Sequence, residues 1–310
     1  MIFVYREIPG TIYLTIKKSF REQGVGKGGL YKTVNIHGSM HRLLCLILLV
    51  SASLQAEPLF DAHLHYSAAD ATQQSPQQIL KKLAHNDIRY AVVTGTPASH
   101  TQILYRHAPG QIVPLLGVYH RHEDKASWPG DANLPARVEA ELDKGSWRGI
   151  GELHIFAKDR HNPAFHRIVK IAAKRQLPLL IHGDPAVIDR IYDIAPTQPV
   201  AWAHAGTFPY PDLVADYLRR YPALMIDLSV RDERIAPDGQ INDDWYELFV
   251  RFPDRFMVGV DTYSPSRWQE FDSVAATMRR WLNQLPKDVA RQLATANAAA
   301  FYGIPGDTSK

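Results

Sequence analysis

Cysteine is almost missing from this 310-residue chain: the only one is Cys45. It lies within the apolar run Leu43–Val50. If that run is cleaved away, the remaining chain has no disulfide, no thiol nucleophile and no cysteine metal ligand. Cys45 also comes too early in the run to mark a lipid-anchoring cleavage point. Long apolar runs are missing too, since LLCLILLV is the longest and falls well short of the about 20 residues a membrane span needs. A basic cluster is the third absence. Residues 1–56 hold seven of the 35 Lys and Arg but two of the 32 acids, leaving 28 bases against 30 acids. The formal +3 therefore belongs to the leader, and a nucleic-acid partner loses its electrostatic support.

The leader has a recognisable layout. Met40-His41-Arg42 precedes the apolar run, and Ser51-Ala52-Ser53-Leu54-Gln55-Ala56 follows it. A basic start, a short apolar stretch and a small-residue exit are the parts of a secretory signal peptide. The expectation is cleavage before Glu57, a periplasmic or secreted mature chain with no stable membrane insertion, and an upstream extension over 1–39 that takes no part in the fold.

From 57 to 310 short β-branched runs alternate with amphipathic stretches. Eight strands are expected: Pro58–His65, Ile88–Thr94, Ile112–Tyr119, Trp147–Ile155, Pro178–His182, Val200–His204, Ala223–Ser229 and Phe256–Asp261. Helices are expected over Ser75–Asn86, Leu134–Lys144, Pro163–Arg175, Pro185–Ile194, Pro211–Arg220 and Asp243–Phe252, several opened by Ser, Asp or Pro. Alternating β and α calls for a parallel sheet. Eight units in 254 residues predict a single-domain (β/α)₈ TIM barrel, with a doubly wound open sheet as the alternative. Ser266–Gln284 and Lys287–Tyr302 read as a last barrel helix and a C-terminal helix packed on the outside.

Several expected strands end on a polar residue. The first reads Phe60-Asp61-Ala62-His63-Leu64-His65, and a period of two puts Asp61, His63 and His65 on one face, pointing inward, with Phe60, Ala62 and Leu64 toward the helices. Two imidazoles two residues apart on a strand can chelate a borderline metal such as zinc, although alone the pattern is weak. Glu152, His182, His204 and Asp261 end later strands in the same way. Active sites of barrels are built at those ends, and a shared metal would compensate all these buried groups together. Gly259, on Asp261's face, is expected to leave room above the metal for water and substrate.

At this point the chain resembles the amidohydrolase superfamily, built on a His-x-His after strand 1, a ligand on strand 4, His after strands 5 and 6, and Asp after strand 8. The resemblance covers about 58–303, including Asn297-Ala298-Ala299-Ala300-Phe301-Tyr302-Gly303, which is similar to the closing helix of the amidohydrolase-2 group. Ile150-Gly151-Glu152 is similar instead to strand 4 of TatD-like enzymes. The resemblance implies one or two divalent ions, zinc first, with His63, His65 and Asp261 at a deeper position, His182 and His204 at a second, and Glu152 bridging or binding. With Glu152 on strand 4, a carboxylated lysine is not expected. Asp261 would be the general base that takes a proton from a metal-activated water. Asp61 would stand behind the ligands, orienting an imidazole or the turn.

Substrate-side candidates come from loops after the strands: Tyr119, His120, Arg121 and His122, then His154, Lys158 and Arg160, then Ser229 and Arg231, then Tyr263. Arg121, Lys158 or Arg231 could pair with an anionic group. The function expected is hydrolysis of an amide, ester, lactone or phosphoester bond of a small molecule. Two alternatives stand beside it: non-oxidative decarboxylation of the amidohydrolase-2 type, and a periplasmic metal-binding barrel without turnover.

Overall fold

The computed structural model describes residues 57–305 and the backbone of 2–8, 11–17 and 33–35. Two compact units divide the chain, Met1–Gln55 and Ala56–Lys310. In the first, strands Ile2–Ile8 and Thr11–Lys17 pair antiparallel, Ile2 opposite Lys17, and Thr33–Asn35 joins the second strand. The segment read as a signal peptide, 40–56, lies outside the described residues.

The second unit is one sheet of eight parallel strands in chain order: β1 (Leu59–His65), β2 (Ile88–Thr94), β3 (Ile112–Leu116), β4 (Gly149–Ile155), β5 (Leu179–Gly183), β6 (Val200–Trp202), β7 (Leu224–Asp227) and β8 (Phe256–Met257). The first and last strands meet, because Ala62 N donates to Val258 O at 2.9 Å and Asp261 N to His63 O at 2.8 Å. With helices between strands, this is the (β/α)₈ barrel the alternation predicts. Helices Pro163–Arg175, Pro185–Ile194 and Pro211–Arg220 fall on the expected bounds, each with proline at the first turn, where a missing N–H costs nothing. The helix Ala98–His107, between β2 and β3, exceeds the expected set. It has no side-chain cap and buries only Thr101 and Leu104, too thin a stripe to show as periodicity.

Two expectations about the core are corrected. Strict alternation on β1 fails, because its register against β2 shifts between Asp61 and Leu64. Such a shift changes which side chains face inward. Phe60 and Ala62 consequently pack inside the barrel with Val92, Leu180, Met225 and Met257, while His63 and His65 still reach the mouth. Leu64 alone of the expected outer three joins the cluster beneath the helices. The closing segment, Lys287–Arg291 followed by a wide turn over Gln292–Ala296 and Asn297–Phe301, divides: Val289, Leu293 and Ala294 join the cluster beneath the helices, as expected of an outer helix, but its end turns inward. Ala298, Ala299 and Tyr302 belong to the inner cluster, and Asn297 Nδ2 donates to Pro253 O and Phe256 O, both at 2.8 Å, so this helix floors the barrel.

Strand ends also differ from expectation. β6 stops at Trp202 because His204 and Ala205 take left-handed backbone, φ 61° and 53°, and β8 stops at Met257 short of Asp261, φ 53°. A strand cannot run through such residues.

Candidate metal centre

Glu152, His63, His65, His204 and Asp261 are all buried at the carboxyl ends of the strands, and His182 is half-buried beside them. His63 Nε2 and His65 Nε2 are 3.2 Å apart. His65 Nε2 lies 3.4 Å from Glu152 Oε2 and 3.3 Å from Asp261 Oδ1, and His63 Nε2 is 3.8 Å from each of those oxygens. The other oxygen of Glu152, Oε1, is 3.0 Å from His182 Nδ1 and 3.3 Å from His204 Nε2. Asp261 Oδ2 is 3.7 Å from His204 Nε2. All six residues singled out in the sequence therefore converge, with Glu152 between the two groups.

A divalent ion fits this donor set. A tetrahedral zinc with bonds near 2.0–2.1 Å would hold its ligand atoms about 3.3 Å apart. Five of the six separations among His63 Nε2, His65 Nε2, Glu152 Oε2 and Asp261 Oδ1, all but that between the two carboxylates, run from 3.2 to 3.8 Å, and the triads His63–His65–Asp261 and His63–Glu152–His204 each bring their donor atoms within 4.8 Å of one another. Asp261 Oδ1 is also a buried oxygen without a directed hydrogen bond, the kind of atom a cation satisfies.

The titration behaviour follows from crowding. Burial lowers the pKa of His63, but the charges of Asp261, Asp227 and Glu152 outweigh it and hold it well above the usual imidazole value. Burial raises Glu152, yet the charges of His154 and His63 and the bonds from His154 and His182 take it well below the usual carboxylate range. Asp261 is likewise lowered against burial, chiefly by His63 and His65. Both carboxylates are thus ionised at neutral pH, with positive charge demanded around them.

Behind the donors stands a pair the sequence reading missed. Asp227, at the end of β7, accepts from His63 Nδ1 at 2.7 Å. Ser229 Oγ donates to Asp227 Oδ2 at 2.8 Å and receives His204 Nδ1 at 2.9 Å. Each Nδ1 being so committed, each Nε2 is aimed at the centre, the outer-shell arrangement that fixes an imidazole's tautomer. The signal for Asp227 was present, since Leu224-Met225-Ile226-Asp227 ends an apolar strand on a carboxylate as Glu152 and Asp261 do. Ser229 was placed on the substrate side and belongs here.

Other candidates sort by location. Asp61 touches no imidazole ring: its Oδ1 accepts from the backbone N–H groups of His63 and Val260, both at 3.1 Å, tying β1 to β8. Burial pushes its pKa up to about 8. Gly259 makes room not above the site but behind it, where a Cβ would stand 3.0 Å from His63 Cβ and 3.2 Å from Asp227 Oδ1. His154 Nε2 lies 2.8 Å from Glu152 Oε2, and its ring stacks on His182 at 4.3 Å, so it joins the donors rather than a substrate loop. Burial, opposed by Glu152, takes His154 down to about 4 and leaves it neutral. Tyr119 is buried and its hydroxyl receives the N–H of His154 at 2.7 Å. Arg231 donates to the carbonyls of His204 at 2.7 Å and Gly206 at 3.2 Å, bracing the left-handed turn. Lys158 is exposed beside Asp159. Arg121 and Tyr263 do line a cavity of about 450 Å³ that includes His65.

Fold and donor set together define a (β/α)₈ barrel with a candidate metal centre at the carboxyl ends of its strands. No family model matches the chain, and no curated protein sequence does. Among solved structures, an amidohydrolase from Burkholderia multivorans with bound zinc shares 16% identity at a TM-score of 0.51, over 80% of this chain and 100% of that one. A probable 2-pyrone-4,6-dicarboxylic acid hydrolase from Acinetobacter baumannii matches at 11% identity and 0.53, over 79% and 99%. Amidohydrolase 2 from Bifidobacterium longum subsp. infantis matches at 14% and 0.52, over 80% and 99%. The chain thus shares its (β/α)₈ barrel fold with these solved amidohydrolases.

Proposed function

We propose that this chain is a metal-dependent hydrolase that cleaves an amide, ester, lactone or phosphoester bond of a small molecule. One observation carries the reading: His63, His65 and Asp261, and again His63, Glu152 and His204, bring buried donor atoms within 4.8 Å of one another, close enough to share an ion. His182 and His204, both within 3.3 Å of Glu152 Oε1, supply a second position and favour hydrolysis over decarboxylation. When bound, the metal would polarise the substrate's carbonyl or phosphoryl oxygen and lower the pKa of a water. Asp261 is held ionised, and with Oδ1 turned to His63 and His65 its Oδ2 is left for a proton. It therefore accepts the attacking water's proton and returns it to the leaving group. Glu152 orients the imidazoles of His154 and His182, and Asp227 and Ser229 those of His63 and His204.

The test is elemental analysis of the purified protein, followed by an ester, lactone, phosphoester and dipeptide panel with zinc present. One or two ions per chain, a lower melting temperature on chelation and turnover of one class are expected. Well under one ion after loading, or no change in melting with chelator, would refute the reading. Metal without turnover would favour a binding protein. From the layout of 40–56 we also propose export to the periplasm or medium, and an exported chain beginning far from Glu57 would count against it.

A further inference from the structure

Among the described residues five large hydrophobic side chains are exposed, and four of them, Phe156, Phe208, Tyr210 and Tyr263, sit on loops that follow barrel strands. Scattered exposed apolar residues need no explanation, but a group gathered at one end of the barrel does. Phe156 directly follows β4, and its ring meets the imidazole of His182 edge-on at 6.0 Å. Phe208 follows β6, and the ring of Tyr210 lies nearly parallel to it, 6.5 Å away at 7°.

The two loops are joined. Asp184, just after β5, receives Ala157 N on Oδ2 at 2.8 Å and Thr207 Oγ1 on Oδ1 at 2.9 Å. The residue after Phe156 and the residue before Phe208 are therefore held on the two oxygens of one carboxylate. With both oxygens engaged, Asp184 offers little charge to a ligand. Arg121 and Lys125 line the cavity of His65 and Tyr263, formed by loops after β1, β2, β3 and β8, while Lys158 and Arg160 follow Phe156 on its own loop.

We propose that Phe156 and Phe208, held together by Asp184, form a subsite for a flat aromatic or unsaturated ring of the substrate, placed against His182. The proposal rests on the metal-hydrolase reading for its neighbour but not for its recognition chemistry. Aromatic faces prefer offset or edge contacts with other rings. An aliphatic group of similar size would gain area but not ring geometry.

Hydroxamates, which chelate zinc, probe the shelf by binding alone. With the zinc-loaded full chain in a calorimeter, benzohydroxamate should bind roughly tenfold more tightly than acetohydroxamate. Phe156→Ala and Phe208→Ala should each cut that preference roughly three- to tenfold and leave acetohydroxamate unchanged. Phe156→Leu, which keeps apolar bulk, should behave like the alanine variant. Equal affinities in the parent, or a preference that survives both alanine substitutions, would overturn the proposal. If zinc does not load, the metal reading fails, and if it does not load or neither hydroxamate binds, saturation-transfer NMR of benzamide on the metal-free chain decides the shelf. Ring signals lost in the double variant uphold it; signals undiminished, or absent from the parent, overturn it.

Discussion

The same eight strands build two unlike interiors. At the floor Phe60, Val92, Leu180, Met225 and Met257 close over Ala298 and Tyr302 in an apolar cluster. At the mouth Glu152, Asp227 and Asp261 are buried among imidazoles. The floor is held by removal of apolar surface, about 1.5–3 kcal/mol for each large side chain. The mouth buries charge, which is costly unless matched, and matches it through partners that are themselves chemical tools. Stability is concentrated at one end and reactivity at the other. The mouth also carries the left-handed residues His204, Ala205, Val230 and Asp261, each costing of order 1–3 kcal/mol for a residue other than glycine.

Substitutions that strike one end and spare the other sharpen that contrast. Asp261→Asn should leave the fold intact and lower kcat by about 10² to 10⁴ on the substrate a panel identifies, since it removes the base while keeping the size. A variant with near-parental kcat would move the base to Glu152 or His204. Leu180→Ala, at the floor, should cost about 2–5 kcal/mol in denaturant unfolding yet leave zinc stoichiometry unchanged. Loss of zinc in that variant would mean that the two ends are not independent. Asp227→Asn should weaken zinc about 10- to 100-fold in a competition titration, through a His63 whose ring is no longer fixed. An unchanged affinity would reduce Asp227 to a packing residue. Lys158→Ala, beside Asp159 on the surface, should leave turnover and zinc binding within about twofold and stability within about 0.5 kcal/mol.

The barrel was legible because eight strands and their helices repeat two simple periods. The six donors were legible because each ends an apolar run, where a polar residue needs a reason. What escaped has physical causes. The register shift in β1 follows from pairing with β2, which local alternation does not contain. Asp227 and Ser229 matter through contacts across the barrel to His63 and His204, distant in sequence. His154 looked like a loop residue because it falls past the apolar part of its strand, yet it turns back onto Glu152. Asp184 was not singled out: it precedes a helix without making a side-chain cap bond, and it joins two loops that are distant in sequence.

The floor has a consequence for the order in which the molecule can be made. Its inner surface is shared between Phe60, on the first barrel strand, and Tyr302, whose ring stacks on it at 6.3 Å from the last helix. A growing chain on the ribosome holds every strand before it holds the piece that seals them. Until Ala298, Ala299 and Tyr302 have emerged, the lower interior stays open to water, and the contacts that close it span nearly the whole unit. Closure therefore waits until this last helix has emerged, and the slowest step in forming the barrel should be the docking of that helix rather than the assembly of the mouth.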